Sequence, residues 1–117
     1  MKLEGERTLL RIHVDGSTLH HARPVYEELL DRARRAHLAG ATVLRGRAGF
    51  LPGGRLLTGR QGALHTEAPV VVELVDEEER LMAFADSVEA LLRGSRAIVT
   101  AERAHVVMYR SREGGPA

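Results

Sequence analysis

Two glycine–arginine segments in the middle of the chain carry the groups that bind a phosphate or a similar anion. Gly53-Gly54-Arg55 and Thr58-Gly59-Arg60 combine accessible backbone N–H groups with guanidinium groups, and both kinds of group donate hydrogen bonds to anionic oxygens. The alternative is a solvated flexible loop, because the chain has neither a Walker-type phosphate loop nor a dinucleotide-binding glycine pattern. Arg55 and Arg60 are therefore candidate anion-binding residues.

A second pair of arginines, Arg45 and Arg47, flanks Gly46 shortly before this loop. These side chains could line a ligand cleft and pair with phosphate or carboxylate, or they could form ordinary salt bridges across strands. The hydroxyl of Thr42 could contact the ring or ribose of a ligand, although threonine is also a common strand former.

The remaining reactive residue types do not form a recognisable site. Consecutive residues such as His20 and His21 rarely ligate one metal, and no third ligand is spaced with them. His13 and His105 lie on strands that should be neighbours, where they could form a pH-sensitive pair or have a structural role. No serine lies in a nucleophile-elbow context. We predict no catalytic residue and no metal site, and we expect that the protein is not an enzyme.

Hydrophobic periodicity places these residues on six main elements. Leu10, Ile12 and Val14 alternate as in a half-buried strand, and a helix follows Pro24 and ends near Gly40. Residues 41–50 are predicted to form a strand, residues 51–67 a long loop and residues 69–75 a buried strand. A second helix is expected to begin near Asp76, a plausible N-cap, and a last strand runs over residues 97–109. The order β-α-β-β-α-β predicts an α+β, ferredoxin-like sandwich, with one domain over residues 1–110 and a disordered tail over 111–117.

Composition excludes several classes of function. The formal net charge is +1 and aromatic residues make up 3% of the chain, so neither electrostatics nor base stacking favours a nucleic acid partner. The absence of cysteine excludes disulfides and thiolate chemistry. No apolar run is long enough to span a bilayer, and the charged start does not resemble a signal peptide. We therefore expect a cytoplasmic protein without direct membrane insertion.

One face of the predicted sheet is not covered by the helices. Leu9, Val43, Val71 and Val75 are expected to point to that face, which indicates that sheets from several subunits pack together.

The segment from Leu38 to Phe50 resembles the PII signalling proteins, whose second strand leads through a Gly-x-Thr-Val segment into a long mobile loop. The opening residues 2–6, the segment 40–46 and the pattern Val71-x-Glu73-x-Val75-Asp76 are similar to a PII-like family of unknown function, number one hundred and ninety. The resemblance covers residues 2–109. It implies a PII-like trimer of ferredoxin-like subunits with an adenine nucleotide or related small effector bound in clefts between subunits. Members of this family are often encoded beside a fluoride exporter, which suggests a membrane transporter or channel as partner protein.

The sequence departs from the PII pattern at two places. Leu51 replaces the second glycine of the loop entrance, and residues 93–96 are too few for the glycine-rich phosphate loop that follows the second helix in PII proteins. These departures indicate an effector that need not be ATP.

The leading hypothesis is a homotrimeric PII-like regulator that binds a small effector between subunits and signals through the 51–67 loop. In this hypothesis arginines hold anions, while Gly49 and Phe50 hinge and anchor the loop. The predicted ligand-binding residues are Thr42, Arg45, Arg47, Gly49, Phe50, Arg55 and Arg60. The alternatives are a dimeric α+β-barrel enzyme or small-molecule binding protein, which would use His13, His105 or Tyr109, and a structural assembly module without ligand.

Overall fold

The computed structural model describes residues 2–59 and 67–112, which form a four-stranded sheet, two small hairpins and two helices. In chain order the elements are β1 (Gly5–Asp15), β2 (Leu19–His20), β3 (Arg23–Pro24), α1 (Val25–Arg35), β4 (Gly40–Arg45), β5 (Ala48–Phe50), β6 (Leu56–Thr58), β7 (Pro69–Asp76), α2 (Glu78–Arg93) and β8 (Ala97–Val106). The sheet order is β4-β7-β1-β8, and every neighbouring pair is antiparallel. This confirms the predicted ferredoxin-like α+β architecture.

The core lies between the sheet and the two helices. Leu10, Ile12 and Val14 of β1 are buried on the helix side, and their cross-strand partners on β7 are Leu74, Val72 and Val70. This alternation explains why the pattern of β1 could be recognised, since every second side chain of a half-buried strand enters the core. β7 is buried at every second residue in the same way.

Each helix buries one narrow stripe of side chains. α1 contributes Val25, Leu29 and Ala33, and α2 contributes Leu81, Phe84, Val88 and Leu91. Leu30, the residue after Leu29 in α1, is 38% exposed and faces outward beside β4. No helix in the described part of the chain is long and apolar enough to cross a membrane.

Asp76 is a buried strand residue and not a helix cap. Its carboxylate accepts hydrogen bonds from the backbone N–H of Ala39 at 2.8 Å and from Arg80 Nη1 at 2.7 Å. Arg80 also donates to the carbonyls of Ala36 and His37 at the end of α1. The helix itself begins at Glu78, with Glu77 in the capping position. The Asp76–Arg80 pair therefore joins the end of α1, the start of β4 and the start of α2.

The open face of the sheet carries apolar side chains and a cluster of charged residues. At its centre Arg11 Nε donates to Glu73 at 2.9 Å, and Arg11 also pairs with Glu102; both bonds raise the pKa of the Arg11 guanidinium. The prediction that Val43 lies on this face is wrong, because Val43 lies opposite Val72 and packs on the core side. Leu44, opposite Val71, takes its place on the open face.

The predicted strand over residues 41–50 is two strands in different sheets. β4 ends at Arg45, and β5 pairs with β6, a strand that lies inside the region predicted to be an irregular loop. The chain passes close to β7 at this break, where a Cβ on Gly46 would lie 2.9 Å from Pro69 Cγ, so glycine permits the approach. The rest of the predicted loop, residues 60–66, lies outside the described residues, as does the predicted tail from residue 113 onward.

A strained two-residue turn joins β2 and β3. His21 and Ala22 have φ angles of 50° and 63°, a conformation typical of type I′ turns, in which glycine and asparagine are usual. The rings of His20 and His21 are arranged edge to face, with their centres 4.2 Å apart.

Candidate ligand-binding site

A cleft of about 260 Å³ opens at the end of the sheet where β1 ends and β8 begins. Three segments that are distant in sequence meet there: the turn after β1, the β5–β6 hairpin and the turn after α2. The cleft combines two arginines with hydroxyl groups and an apolar wall. It is lined by Asp15, Thr18, Leu51, Arg55, Leu57, Gly94, Ser95 and Arg96.

The apolar wall is the inner side of the β5–β6 hairpin. Leu51 and Leu57 are 8% and 3% exposed, and the amide of Gly54 donates to the carbonyl of Leu51 at 2.9 Å. Pro52 and Gly53 occupy the central positions of this turn, and Gly53 has a φ of 109°, as a type II turn requires at its third residue. Leu51, which departs from the PII loop-entrance pattern, therefore anchors the hairpin against the cleft.

Arg96 lies directly against this turn. A Cβ on Gly53 would lie 2.8 Å from Arg96 Nη1 and 2.9 Å from Cζ, so a side chain at position 53 would displace the guanidinium from its present place. The antiparallel pairing of Val14 with Ala97 places Arg96 beside the end of β1. Arg96, which belongs to the turn after α2, therefore contacts the hairpin from within the cleft.

The opposite wall is the turn after β1. Asp15 Oδ1 accepts hydrogen bonds from the backbone N–H and the hydroxyl of Ser17, both at 2.8 Å, which is an Asx turn. The amide of Gly16 donates to the carbonyl of Ala68 at 2.8 Å. These bonds fix the Asp15 carboxylate at the rim of the cleft, where it can accept a hydrogen bond from a hydroxyl or amino group of a ligand.

Arg55 reaches the cleft from the hairpin and forms an ion pair with Glu67. Both side chains are about half exposed, so the pair is screened and weak. An anion in the cleft can therefore compete with Glu67 for the Arg55 guanidinium.

The base of the hairpin is held by close backbone contacts. The amide of Gly46 donates to the carbonyl of Pro69 at 2.7 Å, and the amide of Gly59 donates to the carbonyl of Arg47 at 3.0 Å. A Cβ on Gly59 would lie 3.1 Å from the carbonyl oxygen of Gly46. Because Gly46 and Gly59 have no side chain, the chain before β5 and the chain after β6 can lie close together at the base of the hairpin.

The residues predicted to bind ligand do not converge within one chain. Thr42 lies on the open face of the sheet opposite Glu73, whereas Arg45 is three residues further and points to the other face. There the Arg45 guanidinium donates to the Tyr26 hydroxyl at 3.2 Å and lies 5.9 Å from the ring centre.

The other predicted residues belong to the hairpin region. Arg47 is exposed between β4 and β5, Gly49 approaches Pro69, and the Phe50 side chain is 69% exposed. Arg55 alone among the described predicted residues lines the cleft. Arg60 lies outside the described residues.

The sequence analysis did not identify the two other walls of the cleft, which are the turn after β1 and the turn after α2. The turn with Gly94, Ser95 and Arg96 is too short for a phosphate loop of the PII type, yet it lines the cleft. The signal that could have found it is the strand pairing: because the last strand pairs with the first, the residues before Ala97 must lie beside Asp15.

The two strand histidines do not form a pair. His13 lies opposite Ile98 on the open face, whereas His105 lies opposite Glu6 on the helix side, with its Nδ1 2.7 Å from Glu6 Oε1. Tyr109 lies beyond β8, where its amide donates to Glu4 Oε2 at 3.0 Å. Within residues 2–59 and 67–112, no group of three or more histidine, aspartate or glutamate side chains is arranged to hold a metal ion.

Comparison with known proteins identifies relatives of this architecture. Residues 7–106 match the model of the family DUF190, described as "Uncharacterized ACR". A curated relative, a UPF0166 protein of Aquifex aeolicus (strain VF5), is 32% identical over 102 residues, which cover 87% of this chain and 94% of the relative.

Solved structures of low sequence identity share the fold. CPII of Thiomonas intermedia K12, a nitrogen regulatory PII-like protein solved with ADP, AMP and bicarbonate, superposes with a TM-score of 0.69 at 17% identity, covering 86% of this chain and 88% of CPII. A putative PII-like signaling protein of Thermus thermophilus superposes with a TM-score of 0.66 at 18% identity, covering 92% and 94% of the two chains.

Proposed function

Because the chain belongs to the family DUF190 and has the fold of PII-like proteins, we propose that it is an effector-binding regulatory protein of the PII-like type. The effector is a small anion-bearing molecule, with an adenine nucleotide as the first candidate. The observation that carries this proposal is the cleft of about 260 Å³ between Arg55, Arg96 and Asp15.

The chemistry of the cleft suits a nucleotide better than a simple anion. Arg55 and Arg96 provide guanidinium donors for phosphate oxygens, and Leu51 and Leu57 provide an apolar wall for a base. The Asp15 carboxylate can accept a hydrogen bond from a ribose hydroxyl. CPII was solved with ADP and AMP bound, and this supports adenine nucleotides as the class to test first.

The protein acts, in this proposal, as a homotrimer in which effector binding changes the hairpin and the segment after it. Because Arg55 is paired with Glu67, binding of a phosphate to Arg55 breaks the contact that joins the two ends of this segment. A partner protein then binds the altered segment, and the candidate partner is a membrane transporter or channel. Thr42, Arg45, Arg47, Gly49, Phe50 and Arg60 remain proposed contributors to the bound state.

A thermal-shift screen tests the proposal. ADP, AMP, ATP, inorganic phosphate and bicarbonate are each added to the full chain, and the midpoint of thermal unfolding is measured. A nucleotide at about 100 times its dissociation constant adds about 2.7 kcal/mol to the free energy of unfolding, which a melting curve resolves easily.

Variants assign the effect to the cleft. Arg96→Ala should clearly reduce the nucleotide-dependent shift, whereas Arg93→Ala, an exposed arginine at the end of α2, should retain it in full. If none of the nucleotides shifts the midpoint at millimolar concentration, a nucleotide effector is excluded. If the shift is unchanged in Arg96→Ala, the ligand binds elsewhere.

A further inference from the structure

Two opposite charges lie next to each other at the cleft without forming an ion pair. Val14 pairs with Ala97, so Asp15 and Arg96, the next residues along the two chains, are neighbours, and both line the cleft. Opposite charges on neighbouring strands normally stabilise a sheet by pairing. Within residues 2–59 and 67–112, however, neither Asp15 nor Arg96 belongs to an ion pair.

Each of the two charges is held by its own wall of the cleft. Asp15 Oδ1 accepts both hydrogen bonds from Ser17, whereas the Arg96 guanidinium lies against Gly53. The other carboxylate oxygen, Oδ2 of Asp15, has no hydrogen-bond partner among the described residues. Asp15 is therefore a fixed negative charge in a cleft whose other charged lining residues, Arg55 and Arg96, are positive.

The charge balance of the cleft suits one phosphate better than a chain of phosphates. Arg55 and Arg96 supply the positive charge, and the Asp15 carboxylate offsets part of it. When a phosphate displaces Glu67 from Arg55, the Glu67 carboxylate becomes a further unpaired negative charge. Every phosphate after the first adds negative charge but gains no additional guanidinium from the lining. The resulting repulsion is stronger in a cleft than in bulk water, because the surroundings are less polar.

The size of the cleft agrees with this charge balance. Its volume of about 260 Å³ lies just below the range of roughly 300–1,000 Å³ that is typical of small-molecule sites. The wall formed by Leu51 and Leu57 is the part proposed to contact the base, and the arginines are the part proposed to contact the first phosphate. A longer phosphate chain therefore has little space in which to avoid the Asp15 carboxylate.

We propose that Asp15 makes the cleft selective for nucleoside monophosphates over triphosphates, by electrostatic repulsion of the additional phosphates. This inference rests on the proposed function and names the ligand class that the same cleft prefers. A hydrogen bond from the ribose to Asp15 contributes equally to the binding of AMP and of ATP, because both carry the same ribose. The ratio of the two affinities therefore isolates the repulsion from any other role of the Asp15 carboxylate.

Calorimetric titration of the full chain with AMP, ADP and ATP tests the selectivity. The buffer contains EDTA and no divalent cation, because a bound cation would neutralise part of the phosphate charge. AMP should bind at least about tenfold more tightly than ATP, with ADP between them, since bringing like charges together is costly. In Asp15→Asn the ratio of the ATP and AMP dissociation constants should fall at least about fivefold, because the repelling charge is gone.

The variant and its control differ only in where the charge is removed. Asp15→Asn keeps the turn after β1, because an asparagine side chain accepts the same hydrogen bonds as aspartate. Asp86→Asn removes an exposed carboxylate of α2 that does not line the cleft, and it should keep the natural ratio. The thermal midpoint without ligand checks that each variant folds. If Asp15→Asn does not fold, Asp15→Ser, which forms a similar turn, takes its place.

The outcomes separate this inference from the proposed function. A preference for AMP that shrinks in Asp15→Asn and persists in Asp86→Asn supports the selectivity. If the natural chain binds ATP as tightly as AMP or more tightly, or if Asp15→Asn leaves the ratio unchanged, the role of Asp15 is overturned while the nucleotide site stands. If no nucleotide binds, the proposed function fails and the selectivity fails with it.

Discussion

The guanidinium of Arg96 lies against the backbone of Gly53, at a position where a Cβ on residue 53 would be 2.8 Å from Nη1. This contact joins the β5–β6 hairpin to the turn after α2 and sets the shape of the candidate cleft. It also relates a glycine of the central loop to an arginine that is distant in the sequence.

Gly53→Ala should disturb the cleft more than Gly54→Ala. Both glycines have positive φ angles, 109° and 76°, so both substitutions introduce backbone strain of about 1–2 kcal/mol. Only the Cβ at position 53 would also displace the Arg96 guanidinium from the cleft wall, whereas a Cβ at 54 meets nothing within 4 Å. We expect Gly53→Ala to lower both stability and nucleotide affinity, and Gly54→Ala to lower stability alone. Urea unfolding and calorimetric titration measure the two effects; equal affinity losses would contradict the assigned contact.

Asp76→Asn should be strongly destabilising. The Asp76 side chain is fully buried and Arg80 is its ion-pair partner, so the change leaves a partly buried guanidinium without its counter-charge. Removing one partner of a buried pair costs about 3 kcal/mol or more. Asp86→Asn, on the exposed side of α2, is the matched control and should change the free energy of unfolding by less than about 0.5 kcal/mol. A small effect at Asp76 would show that the pair does not join the helices to β4.

Ala22→Gly should stabilise the protein. Ala22 adopts a φ of 63° in the β2–β3 turn, and glycine removes a left-handed strain of about 1–2 kcal/mol while adding about 0.5–1 kcal/mol of unfolded-state entropy. The expected gain is up to about 1.5 kcal/mol. Ala36→Gly, at a φ of −80°, is the control and should destabilise. A loss of stability in Ala22→Gly would mean that the turn is not strained.

Glu28 should make stability depend on pH in the acid range. The hydrogen bond from Arg32 lowers the pKa of Glu28, and Arg23 and Arg35 add to the effect. A carboxylate whose folded pKa is lowered stabilises the protein above its unfolded pKa of about 4.3 and loses this contribution as pH falls through the folded pKa. The stability difference between the natural chain and Glu28→Gln should therefore be constant above about pH 5 and shrink below about pH 4. A difference that does not vary between about pH 7 and about pH 3 would contradict the ion-pair network around Glu28.

Much of the fold follows from local patterns in the sequence. The alternation of Leu10, Ile12 and Val14 is a consequence of burial on one face of the strand, and the structure confirms it. The break of the second strand after Arg45 could not be predicted from local patterns, because it appears only in the pairing: β4 pairs with β7 and β5 pairs with β6. The prediction that Asp76 caps the second helix is wrong. Its carboxylate is held by the amide of Ala39, and a contact between residues so far apart cannot be read from a local pattern.

The site was less predictable than the fold. Arg55 can be identified from the glycine–arginine pattern around it. Arg96 and Asp15 line the cleft only because β1 pairs with β8, which no local pattern shows. Thr42 and Arg45 lie on opposite faces of the sheet because successive side chains of a strand alternate between the two faces and these residues are three positions apart. Residue type indicates the chemistry, whereas the register of the sheet decides which residues meet.

Calorimetric titration of the full chain with ADP tests the central proposal most directly. We predict saturable binding, with one site per chain. Arg55→Ala and Arg96→Ala should each weaken binding at least tenfold, as expected when a charge-assisted hydrogen bond worth about 1.5–3 kcal/mol is removed, and Arg93→Ala should bind as the natural chain does. Binding that is unaffected by Arg55→Ala and Arg96→Ala, or no heat with ADP, AMP or ATP at millimolar concentration, would contradict a nucleotide-binding cleft between the hairpin and the turn after α2.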